Sequence, residues 1–249
     1  MDDPELLEVL RQAAEGVRIA FEESAGDRRI PGERPGQYAL DLATDAAAVE
    51  ILSGAGLGIM SEESGRHHPD RAICVVVDPI DGSTNASIGI PWYATSLAAV
   101  DADGVRAALV VNLASGTRYE ASRGGGAIRD GRPMSVNQKT DLGDAMLALN
   151  GYPTRHLGWR QVRVLGASAL DICLVAEGAV DGFADCAKSN LGPWDYLGAM
   201  LVLEEAGGFI TDADGLELVT LDHSARRSPV AASSEALLAE MLDALGPGA

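Results

Sequence analysis

The chain has 249 residues, enough for one large domain or two closely packed lobes around a sizeable core. Apolar residues make up 47% and charged residues 22%, as in ordinary globular proteins, while a formal net charge of −18 at pH 7 argues against nucleic acid and anionic membrane as partners. The three cysteines, Cys74, Cys173 and Cys186, are far apart, form no CxxC and sit in or beside apolar stretches; they read as reduced core residues of a cytoplasmic protein.

The acidic start, Met1-Asp2-Asp3-Pro4-Glu5, is unlike a signal peptide, and no run of about 18 apolar residues offers a transmembrane helix. The first predicted element is a helix: Asp3 can cap it, Pro4 suits its first turn, and Leu6, Leu10, Ala13, Val17, Ala20 and Phe21 recur at helical spacing. A Gly/Pro-rich loop follows from Gly26 to Gln37, then a second helix from about Thr44 to Leu52. A short apolar piece, Leu57 to Met60, ends at Glu62-Glu63. Ala72 to Val77 is a continuous apolar run with β-branched residues, the pattern of a buried strand, and it ends in Asp78.

From Tyr93 to Val136 the sequence predicts several short strands joined by turns at Asp103-Gly104, Ser115-Gly116, Gly124 to Gly126 and Asp130-Gly131. Strands are then expected near Ala145–Leu149 and Val162–Leu165, a helix over Ala169–Glu177, and a strand near Val180–Ala184. A helix over Pro193–Ala206, strands at Gly208–Thr211 and near Val230–Ala232, and a helix over Ser234–Leu245 complete the chain. Strands and helices mix throughout, so the class is α/β or α+β in layers.

The chemistry concentrates in Asp78-Pro79-Ile80-Asp81-Gly82-Ser83-Thr84-Asn85, at the end of the buried strand. Pro79 is expected to stop the ladder and turn the chain, which places Asp78 and Asp81 together on the rim with the Ile80 carbonyl between them. Gly82 relaxes the backbone, and the amides of Gly82, Ser83 and Thr84 can form a small anion-binding nest or helix start. Two carboxylates, a carbonyl and free amides suit Mg²⁺ and phosphate held together, because Mg²⁺ takes hard oxygen ligands and shares its shell with substrate phosphate. The same string also reads as an Asx-type turn with no ligand.

The octapeptide resembles the DPIDGTxN signature of the inositol monophosphatase family, with Ser83 where Thr is usual. Further motifs resemble the family's in the same order: Ser61-Glu62-Glu63-Ser64 its GEES, Trp194-Asp195-Tyr196-Leu197-Gly198-Ala199 its WD-x-x-A/G-G, and Glu205-Ala206-Gly207-Gly208 its EAGG. The resemblance spans roughly Ala39 to Ala232. It implies the layered αβαβα sandwich of the inositol monophosphatase and fructose-1,6-bisphosphatase superfamily, with an N-terminal lobe over about 1–140 and a C-terminal lobe over about 141–249. It also implies a homodimer acting on a small phosphate ester, with Mg²⁺ held by Glu62, Asp78, the Ile80 carbonyl, Asp81 and Asp195. Ser83 and Glu62 would orient a water, and a further Asp would polarise Ser83. The family pattern for that Asp, D-x-V-T-x-x-D, does not match the spacing of Asp41-Leu42-Ala43-Thr44-Asp45 cleanly; Asp45, directly before an alanine-rich helix, is preferred to Asp41, and either suits an N-cap. The family's Lys in the preceding loop has no counterpart except Arg34, which leaves a third metal site open.

Asp81, Gly82, Ser83, Thr84 and Asp195 are expected to meet the substrate, together with Gly166, Ser168 and Asp185. Ser168 with Asp171 also has the spacing of a capping pair. The segment Asp185 to Pro193, with Lys188, Ser189 and Asn190, is longer than usual, and it lies where substrate choice is made. The leading expectation is hydrolysis of myo-inositol monophosphate. Fructose-1,6-bisphosphate, histidinol phosphate and 3′-phosphoadenosine 5′-phosphate are alternatives with the same mechanism, the last disfavoured by an aromatic content of 4%. A non-catalytic binding or regulatory relative is the rival of another class.

Other signals carry less. Asp101-Ala-Asp103-Gly104 and Asp212-Ala-Asp214-Gly215 begin like calcium loops and lack the remaining ligands, so hairpin turns are expected. Gly124 to Gly126 lacks the Lys-Ser/Thr of a phosphate loop, and His67-His68 reads as a solvated pair in a polar loop.

Overall fold

The computed structural model describes residues 1–24, 30–32, 38–187 and 190–246. Most of the Gly26–Gln37 loop, with Arg34, and the pair Lys188-Ser189 lie outside the described residues. In chain order the elements are α1 (Asp3–Glu23), α2 (Ala39–Gly54), β1 (Gly58–Ser61), β2 (Gly65–His67), β3 (Cys74–Asp81), α3 (Ser83–Ile88), β4 (Ala94–Asp101) and β5 (Gly104–Asn112). They continue as β6 (Arg118–Ser122), β7 (Gly126–Arg129), β8 (Arg132–Pro133), β9 (Met146–Asn150), β10 (Gln161–Arg163), α4 (Ser168–Ala176) and β11 (Gly182–Asp185). The last are α5 (Leu197–Glu205), β12 (Phe209–Asp212), β13 (Pro229–Ala232) and α6 (Glu235–Leu245).

Two sheets form. The larger runs β2-β1-β3-β4-β5-β6-β7-β8 and the smaller β10-β9-β11-β13-β12. Side-chain alternation along the strands builds the layers. In β3, Val75 and Val77 pack with α1 and α2 residues Leu6, Leu10 and Leu52, while Val76 faces Leu170, Ile172 and Leu201 of α4 and α5. In β9, Ala148 faces that same central layer, while Leu147 and Leu149 pack against Leu237 and Met241 of α6. The order is therefore α1/α2, large sheet, α4/α5, small sheet, α6: the αβαβα sandwich. Both faces of β3 are covered, which is why it reads as unbroken apolar sequence.

Several boundaries differ from expectation. Asp2, not Asp3, caps α1, accepting from the Glu5 amide at 2.9 Å. α2 begins at Ala39, so Asp41 and Asp45 both lie inside it and neither is its N-cap; Asp41 instead accepts from the Tyr38 amide at the helix start, at 2.8 Å. The helix expected over Pro193–Ala206 is split into a 3-10 turn, Pro193–Asp195, and α5, with Tyr196 at φ −136° between them. The Tyr196 hydroxyl is buried and donates to the Leu218 carbonyl at 2.7 Å, which fixes that break. Cys74 and Cys173 are buried, but Cys186 is half-buried. His67 ends β2 rather than lying in a loop, with Nε2 at 2.7 Å from Ser64 Oγ. Asp101 and Gly104 pair across the β4–β5 hairpin as expected. The Asp212 carboxylate instead orders a longer connection, accepting from the amides of Asp214, Leu216 and Ser228 at 2.9, 3.2 and 2.8 Å.

Glu205, of the Glu-Ala-Gly-Gly motif, bridges from the end of α5 to the β6–β7 turn, where its carboxylate accepts from the Gly124 and Gly126 amides at 2.6 and 2.8 Å. The glycine run at 124–126 thus turns its amides toward a carboxylate of the protein itself. Glu205→Ala leaves these donors without their acceptor and should lower stability by about 1–3 kcal/mol in denaturant unfolding, with activity per folded molecule unchanged.

Candidate active site

Strands β1 and β3 run parallel, with Ser61 opposite Val77, so their ends open on the same rim. Glu62 continues from β1 and its amide donates to the Val77 carbonyl at 3.0 Å, which sets Glu62 beside Asp78. Contrary to the expectation from sequence, Pro79 does not stop β3; the strand continues to Asp81 through an irregularity. Asp78 pairs with Ser96 and Asp81 with Ala94, so two residues, Pro79 and Ile80, stand opposite Thr95 alone. A bulge tolerates proline because it leaves one residue unpaired, and the Thr95 hydroxyl satisfies the Pro79 carbonyl at 2.9 Å. The Ile80 side chain is buried with Phe21, Leu40, Ala86 and Tyr93, which anchors the bulge in the core.

The bulge aims Asp78 and Asp81 at the 3-10 turn that carries Asp195. Carboxylate oxygens of Asp78, Asp81 and Asp195 lie within 4.8 Å of one another. The Gly192 amide holds Asp195 Oδ2 at 2.6 Å. Ser96, opposite Asp78, donates to the Trp194 carbonyl at 3.1 Å and ties the turn to β4.

Electrostatics follow from this crowding. Burial first, then the charges of Glu62 and Asp81, hold the Asp78 carboxyl well above the usual carboxylate range. Burial also raises Asp81, partly offset by its hydrogen bond from Ala169, and raises Asp195, which Asp81 raises further. Glu62 is pushed up to about 8 by burial and then by Asp195. Asp78 Oδ1 is buried, with no hydrogen-bond partner among the described residues. The Arg226 charge offsets Asp195 only in part, and a divalent cation fits the cluster: the donors are carboxylate oxygens, without thiol or imidazole, and one is buried and unfilled.

Asp81 is held by the far side of the molecule. Its Oδ1 accepts from Ser168 N at 3.2 Å and its Oδ2 from Ala169 N at 2.7 Å, the first amides of α4. Asp81 thus does for α4 what a capping side chain would do. The Ser168–Asp171 pair expected from sequence does not form; α4 has Ala167 at its N-cap with no side-chain bond, and Asp171 accepts from the Trp92 indole at 2.8 Å. Burial pushes Asp171 up to about 7, against the lowering effect of that indole.

Gly82 sits at φ +83°, and a Cβ there would lie 3.0 Å from the carbonyl oxygens of Gly166 and Trp92. Asn85, the last residue of the octapeptide, donates through Nδ2 to the carbonyls of Trp92 at 2.9 Å and Leu165 at 2.7 Å. The Gly166–Ser168 segment expected at the substrate pocket is therefore packed directly on the octapeptide. Ser83 and Thr84 open α3, where amides have no acceptor within the helix. Asp185, at the end of β11, accepts from Asn150 Nδ2 at 2.9 Å and the Ala187 amide at 3.0 Å, and its charge acts on Asp195.

Asp45 is buried and accepts from the Ser61 hydroxyl. Among the described residues no hydrogen bond joins it to Ser83. Sequence reasoning missed Ser61, Asn85, Trp92 and Asp171. Asn85 was within reach, as part of the octapeptide, whereas the others act through partners at least 16 residues away in sequence. It also missed the loop carrying His223 and Arg226. His223 Nε2 lies 2.9 Å from the Ser61 carbonyl, and the His223 ring and the Arg226 guanidinium flank the Trp194 ring at 4.8 and 5.1 Å.

Residues 37–245 match the family model described as the inositol monophosphatase family. A fructose-1,6-bisphosphatase/inositol-1-monophosphatase of Archaeoglobus fulgidus is 32% identical over 227 residues, 88% of each chain. An inositol-1-monophosphatase of Mesorhizobium japonicum is 32% identical over 84% of this chain and 86% of its own. The crystal structure of the extragenic suppressor protein suhB from Bartonella henselae superposes with a TM-score of 0.83 and 27% identity, over 98% of this chain and all of that one.

Two tests follow from the clamp around Asp81. Gly82→Ala forces a positive φ on a residue with a Cβ and brings that atom against two carbonyls; it should cost about 2–4 kcal/mol in denaturant unfolding. For Asp171, the unfolded carboxyl ionises near pH ~4 while the folded one keeps its proton to about 7. Stability is therefore lost as pH rises through that window. Asp171→Asn should raise the Tm relative to wild type by about 3 °C or more at pH ~8, and by less at pH ~5.

Proposed function

Because this chain belongs to the inositol monophosphatase family, and is by that membership a phosphoric monoester hydrolase, we propose that it hydrolyses small phosphorylated alcohols with Mg²⁺, myo-inositol monophosphate first among them. The family is metal-dependent, and this chain offers it an acidic cluster. The observation that carries the reading is the convergence of Asp78, Asp81 and Asp195 within 4.8 Å, beside Glu62.

Glu62, Asp78, Asp81, Asp195 and the Ile80 carbonyl would hold the metal. When bound, Mg²⁺ supplies charge neutralisation at the attacking and leaving oxygens and acidifies water. Glu62 and Ser83 orient the attacking water, and Ser83 keeps the hydroxyl of the usual Thr while losing a methyl. The amides of Gly82, Ser83 and Thr84 receive phosphate oxygens, which suits the opening turn of α3 and its lack of internal acceptors. Asp185, Gly166 and Ser168 face the alcohol. The Ser168 amide already donates to Asp81, so this residue contributes by fixing Asp81 as much as by meeting substrate. No covalent phosphoenzyme is needed, because the nucleophile is water.

A cytoplasmic homodimer with no nucleic-acid or membrane partner completes the reading. The dimer follows from the family resemblance, and the net charge of −18 disfavours nucleic acid and anionic membrane as partners.

Magnesium should raise the Tm by several degrees, since a ligand at about 100 times its Kd adds about 2.7 kcal/mol to stability, and Asp81→Asn should erase most of the shift. The decisive assay is phosphate release from a panel of sugar, inositol, histidinol and nucleotide phosphates with and without Mg²⁺. Inositol monophosphate should be preferred, and Asp81→Asn should lower kcat/KM by about 100-fold or more. Preference for another ester replaces the substrate and keeps the site. No turnover of any ester by folded, Mg²⁺-supplied protein overturns the reading in favour of a non-catalytic regulatory relative.

A further inference from the structure

Asp45 and Ser61 form a buried pair that links helix α2 to the strand end from which Glu62 departs. Asp45 is 4% exposed and Ser61 fully buried, and the Ser61 hydroxyl donates to Asp45 Oδ1. Ser61 Oγ also accepts from the Glu63 amide at 3.0 Å, and the Ser61 carbonyl faces His223 Nε2 at 2.9 Å. The next residue, Glu62, is pinned through its own amide to Val77 at 3.0 Å. Ser61 therefore holds the turn at its hydroxyl and at its carbonyl, with Glu62 caught between Ser61 and Glu63.

The Ser-Glu-Glu-Ser string has serine where the GEES motif has glycine. A glycine there offers no hydroxyl and needs no acceptor. A buried serine hydroxyl needs one, and α2 supplies it as a carboxylate, the stronger kind of acceptor. The hydroxyl and the carboxylate thus satisfy each other inside the core, and both arms of the contact end at the Glu62 turn. Ser83 takes no part in it.

We propose that Asp45 is a positioning residue that acts through Ser61 to fix the direction of the Glu62 carboxylate toward the cation site, and that it does not polarise Ser83. This rests on the phosphatase reading for its kinetic consequences, but not for its effect on metal affinity. Groups that orient metal ligands in this way usually set affinity, and their removal weakens binding by about 10–100-fold.

The test compares Asp45→Asn, Ser61→Ala, Ser83→Ala and the two double variants that pair Asp45→Asn with each serine change. Mg²⁺ affinity is measured by calorimetry and, separately, kcat and KM by phosphate release. Asp45→Asn and Ser61→Ala should each weaken Mg²⁺ binding by about 10-fold, and their combination should weaken it little further. Asp45→Asn and Ser83→Ala should instead have independent, multiplying effects on kcat/KM, because they touch different machinery. The proposal is overturned if Mg²⁺ affinity is unchanged in Asp45→Asn and Ser61→Ala. It is equally overturned if Asp45→Asn has no further effect on kcat in the Ser83→Ala background. Ser61→Gly, which returns the motif's own residue, covers the case in which Asp45→Asn fails to fold: Asp45 then loses its donor while the turn keeps its backbone bonds, and metal affinity should again fall. Since calorimetry reads binding directly, absence of turnover in the wild type would count against the phosphatase reading alone.

Discussion

Three carboxylates whose oxygens lie within 4.8 Å of one another, with Glu62 at their side, repel each other strongly in a buried setting. Such a group persists only if the surrounding structure holds it and either protons or a bound cation relieve the charge. Three of the four acids are fixed by bonds that do not depend on a cation. Asp81 is held by the first amides of α4, Asp195 by the Gly192 amide, and Glu62 by the pairing of its backbone with β3. The protein keeps the acids together, and the family is metal-dependent, so the cluster is one that could hold a metal ion.

The bonds that hold the acids also join the layers. Asp81 lies on the large sheet, and the amides that cap it belong to α4 in the central helical layer. Asn85 and Gly82 press the octapeptide onto the Leu165–Ala167 segment, with no room for a Cβ at Gly82. Ser96 on β4 fixes the Trp194 carbonyl, and through it the turn that carries Asp195. The site is where the layers are fastened, so a change that loosens the interlayer contact also displaces one of the acids.

Much of this was legible from short-range pattern. The unbroken Ala72–Val77 run announced a strand buried on both faces, and β3, which begins at Cys74, is covered by α1/α2 on one side and α4/α5 on the other. Helical spacing gave α1 and α6 to within a residue or two, because each buries one face, and α4, buried on nearly every side between the sheets, was placed as closely. Pro79 misled, since a proline in a strand reads as a stop unless the register of the neighbouring strand is known; the partner Thr95 turns that stop into a bulge. Asp171 misled for the same reason, because its spacing from Ser168 suggests a local cap while its partner is an indole 79 residues away.

The sequence by itself therefore determined the buried strand that carries Asp78 and Asp81 and the mixed, layered α/β class, since both depend on residue type and local periodicity, while Glu62 and Asp195 were singled out by motif resemblance. Tertiary structure decided which partner each polar group takes: Asp81 with α4, Asp171 with Trp92, Asp45 with Ser61. Hydrogen bonds of that kind join groups distant along the chain, and a one-dimensional pattern holds no record of which of many possible acceptors lies within reach once the layers have closed.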